Sequence, residues 1–158
     1  MSRPLPWYDQ ISNPALLRHA RTTYGAAMRH ALAEAGCDDI PANGLYLIGG
    51  MALHEGDMPL GELVKDLRVS KQAASQLVDA LVTGGYLQRA VDEKDRRKLV
   101  VTLTGRGRTA AAVQAKARGQ VDDELLARVG ASAVNATRKA LAALIEIGRQ
   151  RDSGNGNG

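Results

Sequence analysis

The sequence has no phenylalanine, a single cysteine and very little aromatic surface, and each scarcity removes a class of protein. Only 3% of residues are aromatic while 44% are hydrophobic, so a core has to be assembled from Leu, Val, Ile and Ala. That mixture favours close-packed helices over extensive sheet. The lone Cys37 excludes a disulfide framework within one chain and fits a reducing compartment. No apolar run reaches the roughly 20 residues of a membrane span, and Met1–Gln10 has no apolar stretch of the secretory kind. The expected location is cytoplasmic. His19, His30 and His54 lack metal-ligand spacing, and His54-Glu55 stands without a second histidine. Gly49-Gly50 lies inside a helical pattern and lacks the spacing of a phosphate-cradling loop. With no nucleophile motif either, the expectation is a protein that is not an enzyme and holds no cofactor or metal.

What is present is positive charge in one place. The 158 residues carry a formal net charge of +4. Between Pro59 and Arg108 there are 10 basic and 6 acidic residues, which leaves 11 of each in the rest of the chain. All of the excess therefore sits in one central segment, the electrostatic footprint of an acidic partner.

Outside that segment the chain reads as helices. Asn13-Pro14 pairs an N-cap residue with a proline suited to the first helical turn. Leu17, Ala20, Tyr24, Ala27, Met28, Ala31 and Ala35 then recur at helical spacing until Gly36. Ile40-Pro41 opens a second helix through Leu45, Ile48 and Leu53, with Glu55-Gly56-Asp57 as a turn. Thr104 caps a long Ala-rich helix through Ala110, Val113, Val121 and Leu125, and Gly130 breaks it. Val134, Leu141, Leu144, Ile145 and Ile147 form a last helix, and residues 151–158 read as a flexible tail. These terminal blocks carry more apolar surface than so small a central unit covers, which points to their packing together and against a second copy.

The central segment has a finer grain. LGELVKDL (Leu60–Leu67) places Leu60, Leu63, Val64 and Leu67 on one helical face. A tight turn follows, with Arg68 where such turns often have glycine. Ser70 is an N-cap for a second helix that ends at Gly84-Gly85. On that helix Ala74, Leu77, Val78 and Leu81 form the inner stripe, while Gln72, Ser75, Gln76, Asp79 and Thr83 point outward. Two short helices, a three-residue turn and an exposed polar face make a helix-turn-helix. Leu87–Val91 and Leu99–Leu103 are strand-like runs on either side of DEKDRRK, a hairpin with a charged tip. A hairpin directly after a helix-turn-helix is a wing. The expected fold class is mainly α with a small β-hairpin wing.

Residues LGELVKDLRVSKQAASQLVDALVTGGYLQR and DEKDRRKLVVTLTGRG resemble the DNA-binding core of the MarR family. The family's wing carries an Asp-x-Arg-Asp-x-Arg-like cluster, then a strand, Leu-Thr and a glycine. Asp92, Lys94, Asp95, Arg96, Arg97, Leu103, Thr104 and Gly107 match it, with Lys94 in place of the usual first arginine. Lysine keeps the charge but loses the planar fork. The helical flanks match the family's layout at the level of pattern.

The resemblance implies one MarR-like domain over 1–158, with 12–40 and 105–150 as a helical dimerisation region and 41–104 as the winged lobe. It implies a homodimer on pseudo-palindromic double-stranded DNA, usually a repressor, released by a small aromatic or phenolic effector. Ser70, Lys71, Gln72, Ser75 and Gln76 are then the major-groove candidates, and Lys94, Arg96, Arg97 and Lys98 the wing candidates. Asp79 and Asp95 are candidates for orienting the wing. Asp79 faces the DNA side and needs a cation, so Arg97 either pairs with it or reaches the minor groove. Family pockets lie between the dimer helices and the lobe, which makes Tyr24 and Tyr46 effector-pocket candidates, with core filling as the alternative. Two other readings stay open: a winged helix that binds protein, and a redox sensor using Cys37.

Overall fold

A computed structural model describes residues 5–53, 60–97 and 99–155. The turn expected at Glu55-Gly56-Asp57 and the wing residue Lys98 lie outside them. The described chain is mainly helical: a short 3-10 turn (Trp7–Gln10), α1 (Asn13–Glu34), α2 (Gly44–Leu53), α3 (Leu60–Leu67), α4 (Lys71–Thr83), β1 (Leu87–Val91), β2 (Leu99–Leu103) and α5 (Gly105–Asn155). Two compact units divide it after Arg118.

Local chemistry sets most element ends in the first unit. The N-cap of α1 is Ser12 rather than Asn13, so Pro14 falls in the first turn, where its missing N–H loses nothing. At the other end Cys37 N–H donates to Leu32 O (2.8 Å) and Gly36 N–H to Ala33 O (3.1 Å). This 6→1 and 5→2 pair is a Schellman motif, and Gly36 supplies its positive φ of 73°. The same closure ends α4, where Tyr86 N–H reaches Leu81 O (2.9 Å) and Gly85 N–H reaches Val82 O (3.0 Å). Ser70 caps the start of α4 by accepting the Ala73 N–H at 3.1 Å.

The expected stripe of α1 is only partly covered within the chain, with Tyr24, Ala27, Met28 and Ala31 half-buried. Leu17 is 40% exposed, and Leu32 is the buried residue of this helix. Helix α2 starts at Gly44, later than Ile40-Pro41 suggested; its first turn is preceded by a Gly44 N–H to Pro41 O bond at 2.8 Å. The core of this unit gathers Leu32, Leu47, Ile48, Leu63, Leu77, Val78, Leu81, Tyr86, Leu87, Leu103, Ala110 and Ala111. The α4 stripe of Ala74, Leu77, Val78 and Leu81 is buried as its spacing required. A Cβ on Gly50 would lie 2.7 Å from Leu63 Cδ2, so this glycine of α2 lets α3 pack close.

β1 and β2 pair antiparallel with Leu87 opposite Leu103 and Val91 opposite Leu99. Leu87 and Leu103, at the inner end, are buried.

Arg68, between α3 and α4, has φ 52°. It is the one non-glycine with positive φ among the described residues. Left-handed backbone costs an L-residue roughly 1–2 kcal/mol, which accounts for the glycine usual at such turns.

The second unit is the part of α5 beyond Arg118. At Gly130 φ is 79° and ψ 165°, so two helical stretches meet at the glycine expected to break them. Helix runs on to Asn155, which makes residues 151–155 helical where a flexible tail was expected. Leu125, Leu126, Val129, Leu141, Leu144, Ile145 and Ile147 are 37–56% exposed on this unit.

Candidate nucleic-acid interface

The outward face of α4 carries Lys71, Gln72, Ser75, Gln76, Asp79 and Thr83, all exposed. Its opposite stripe is the buried one, so the helix is held by its apolar side and offers amides and hydroxyls to whatever meets it. Ser70 begins the same helix, and its Oγ is used for capping; the hydroxyl proton remains a donor.

The wing tip is ordered by its own aspartates. Asp92 Oδ1 accepts the Lys94 N–H (2.8 Å) and Asp95 Oδ1 accepts the Arg97 N–H (3.1 Å). Carboxylates bonded to an amide two residues on fold a tight bend. The alternation of acid and base in DEKDRR is thus partly architectural: the acids make the turns, and Lys94, Arg96 and Arg97 stay exposed.

The cation that meets Asp79 is Arg89 of β1, not Arg97. Arg89 Nη2 donates to Asp79 Oδ1 in an ion pair. Of the two roles expected for Arg97, pairing with Asp79 falls to Arg89 instead. Strand period would have found the right arginine. Leu87 points at the core beside α4, so Arg89, two residues on, shares its face.

The base of the wing is closed by a network that spacing did not reveal. The Tyr86 hydroxyl donates to Asp39, and the Arg106 guanidinium stacks on the Tyr86 ring, 4.4 Å from its centroid. Arg106 also donates to Gly84 O (2.8 Å), to Asp39 Oδ1 (3.2 Å) and to Gly36 O (3.3 Å). The hydrogen bond from Tyr86 holds the Asp39 carboxyl below its ordinary pKa, while burial and that same bond push the Tyr86 phenol up. Thr104 donates its hydroxyl proton to Gly85 O and accepts the Gly107 N–H at 3.0 Å. The LTGRG stretch therefore ties the returning strand to the end of α4. Cys37 lies buried next to this network, with its thiol 3.8 Å from Ala35 O.

Tyr24 and Tyr46 both line a cleft of about 490 Å³ within the first unit. Arg21, Met28, Leu53, Gln114 and Arg118 are among its other walls. Tyr46 is 45% exposed and donates to Asp66 Oδ2 of α3 at 3.1 Å, so it fills no core. Burial, then the bond to Asp66, raises its pKa. Gln114, buried on α5, donates to Leu45 O of α2 at 3.2 Å. Among the described residues no three acidic, His or Cys side chains gather as a metal site, and no helix is long and apolar enough to cross a membrane.

Residues 39–98 match the family model described as the MarR family. Among solved structures, the chain is similar to the MepR–DNA complex of S. aureus, with a TM-score of 0.68 and 17% identity over 86% of this chain and 98% of that one. A transcriptional regulator of Thermotoga maritima aligns with a TM-score of 0.53 and 24% identity, over 89% of this chain and 96% of that one. S. aureus MepR bound to ethidium bromide aligns with a TM-score of 0.58 and 16% identity, over 87% and 97% of the two chains. No curated protein sequence matches. The helix-turn-helix and wing thus match the MarR family model, and the chain shares the winged-helix fold of these solved structures.

Proposed function

We propose that the protein is a sequence-specific DNA-binding regulator of transcription, acting as a homodimer on pseudo-palindromic operators. The observation that carries this reading is the exposed Gln72, Ser75 and Gln76 face of α4 beside a wing tip whose Lys94, Arg96 and Arg97 are left free by Asx turns. The recognition helix enters the major groove, where Gln72 and Gln76 read adenine edges, Ser70 and Ser75 adapt, and Lys71 meets phosphate or guanine. Arg96 and Arg97 reach the flanking minor groove, and Lys94 and Lys98 add phosphate contacts. The helices of 12–40 and 105–150 join two copies, and 41–104 forms the DNA-binding lobe. The MepR–DNA complex, similar in fold, supports this use of the lobe.

In this reading the regulator is a repressor, and a small aromatic or phenolic effector releases it by entering the cleft of Tyr24 and Tyr46. The cleft is large enough for a compound of that kind, at about 490 Å³. The ethidium-bound MepR structure is consistent with such responsiveness in this fold.

A salt titration tests the DNA reading. Log affinity should fall linearly with log salt, with a slope of about −0.9 for each phosphate neutralised. Lys71→Ala should weaken binding to all sequences alike and flatten the slope by roughly one unit, whereas Gln72→Ala should relax preference at one base pair. A flat salt response would point to a protein partner instead.

A further inference from the structure

We infer that the Arg89–Asp79 ion pair is the positioning element that sets the pitch of the wing against the recognition helix, and that Arg89 itself touches no phosphate. This rests on the DNA-binding reading above.

The inner end of the hairpin is anchored by burial, with Leu87 and Leu103 both in the core. Anchorage fades outward: Ala90 is only half-buried and Val91 is 53% exposed. Past Arg89 only Ala90 of β1 is even half-buried, and on β2 Val101, opposite Arg89, is the outermost apolar side chain packed against the core. The Arg89 guanidinium crosses from β1 to α4 at that point. It binds the helix one turn beyond Ser75 and Gln76, on the same outward face. The tip is a lever: at about 3.3 Å of rise per residue, five residues of β1 carry it roughly 15 Å out. A small rotation at the base becomes a shift of ångströms at Arg96 and Arg97, enough to lose a groove contact.

Stability does not explain the pair. The two side chains are 46% and 57% exposed, and exposed ion pairs add little to folding. Its effects lie elsewhere. It neutralises the one carboxylate on a face turned to phosphates, and it fixes an angle. It also commits Arg89, which leaves Arg96 and Arg97 as the arginines of the hairpin available to DNA.

The test uses the full-length protein and the duplex that it enriches from a randomised pool. Arg89→Gln should lower affinity for that duplex about tenfold, with an unchanged thermal midpoint and an unchanged salt slope. Arg96→Gln, by contrast, should flatten the slope by about 0.9. The exchange Asp79→Arg with Arg89→Asp should recover most of the loss, because it rebuilds the tie with its poles reversed. Asp79→Asn should tighten binding to scrambled duplex while reducing discrimination in favour of the enriched one. If Arg89→Gln flattens the slope by about one unit, Arg89 is a phosphate contact and the inference is overturned. Equal binding by Arg89→Gln and the parent overturns it as well, with the DNA-binding reading intact. A parent chain that enriches no duplex sinks both.

Discussion

Replacing Gly107 with alanine should destabilise the protein by roughly 3 kcal/mol or more, at the upper end of what one added methyl does to a packed site. A Cβ there would stand 2.1 Å from the Tyr86 carbonyl oxygen and 2.9 Å from Leu103 Cδ2. Leu103 can rotate, but the carbonyl cannot retreat. Tyr86 O accepts the Thr104 N–H at 3.1 Å, and Tyr86 N–H closes the end of α4 on Leu81 O. The Tyr86 ring is buried beneath Arg106. Each route of relief breaks one of these contacts. Urea denaturation measures the loss, and Gly119→Ala supplies the control. Gly119 is helical with nothing within 4 Å of the added methyl, so that change should stabilise by about 0.5–1 kcal/mol. A Gly107→Ala protein as stable as the parent would mean that LTGRG does not close on Tyr86.

The double change Leu141→Glu and Ile145→Glu should convert a stable dimer into a monomer. Leu141, Leu144 and Ile145 lie at i, i+3 and i+4 on one stripe of α5, 37–56% exposed in the single chain. Soluble monomers rarely leave contiguous aliphatic stripes in water. Burying a leucine or isoleucine contributes roughly 1.5–3 kcal/mol, and a two-fold interface counts each substitution twice. Even at the lower figure the two sites together exceed about 5 kcal/mol, or more than a thousandfold in the dimer dissociation constant. Sedimentation at micromolar concentration should show dimer for the parent and folded monomer for the variant. Operator affinity should collapse with it, because half-sites about one helical turn apart need both lobes. A parent that sediments as a folded monomer defeats the dimer reading outright.

The sequence was most informative where one residue type serves one backbone need. Gly36, Gly85 and Gly130 all have φ between 73° and 79°, and each was legible as the end or break of a helix. Ser70 was legible for the same reason, since a cap hydroxyl does a local job. The buried stripe of α4 followed from period alone. What could not be read was long-range. Asp39, Tyr86 and Arg106 are brought together across 67 residues of chain, and no local periodicity encodes their meeting. The partner of Asp79 was missed for a different reason. A charge rule said that an arginine was needed, but only the pleat of β1 decides which one arrives. The α1 stripe shows another limit: helical spacing marks an apolar face without saying how much of it the same chain covers and how much is left for a second copy.

Thr104 has a consequence for how such a protein can change over time. One hydroxyl oxygen receives Gly107 N–H while its proton goes to Gly85 O, and the neighbouring Thr104 N–H is held by Tyr86 O. The chain that leaves α4 for the wing and the chain that returns are thereby fastened at the same point. Beyond the buried Leu87–Leu103 pair and the Arg89–Asp79 tie, the tip is an exchangeable part. The tip can be lengthened, shortened or recoded, with Lys for Arg at position 94 as one such variant, and the helices inside feel nothing. Stability and recognition are thus free to evolve separately, and a tip transplanted from another winged protein should alter flanking-sequence preference without altering the melting temperature.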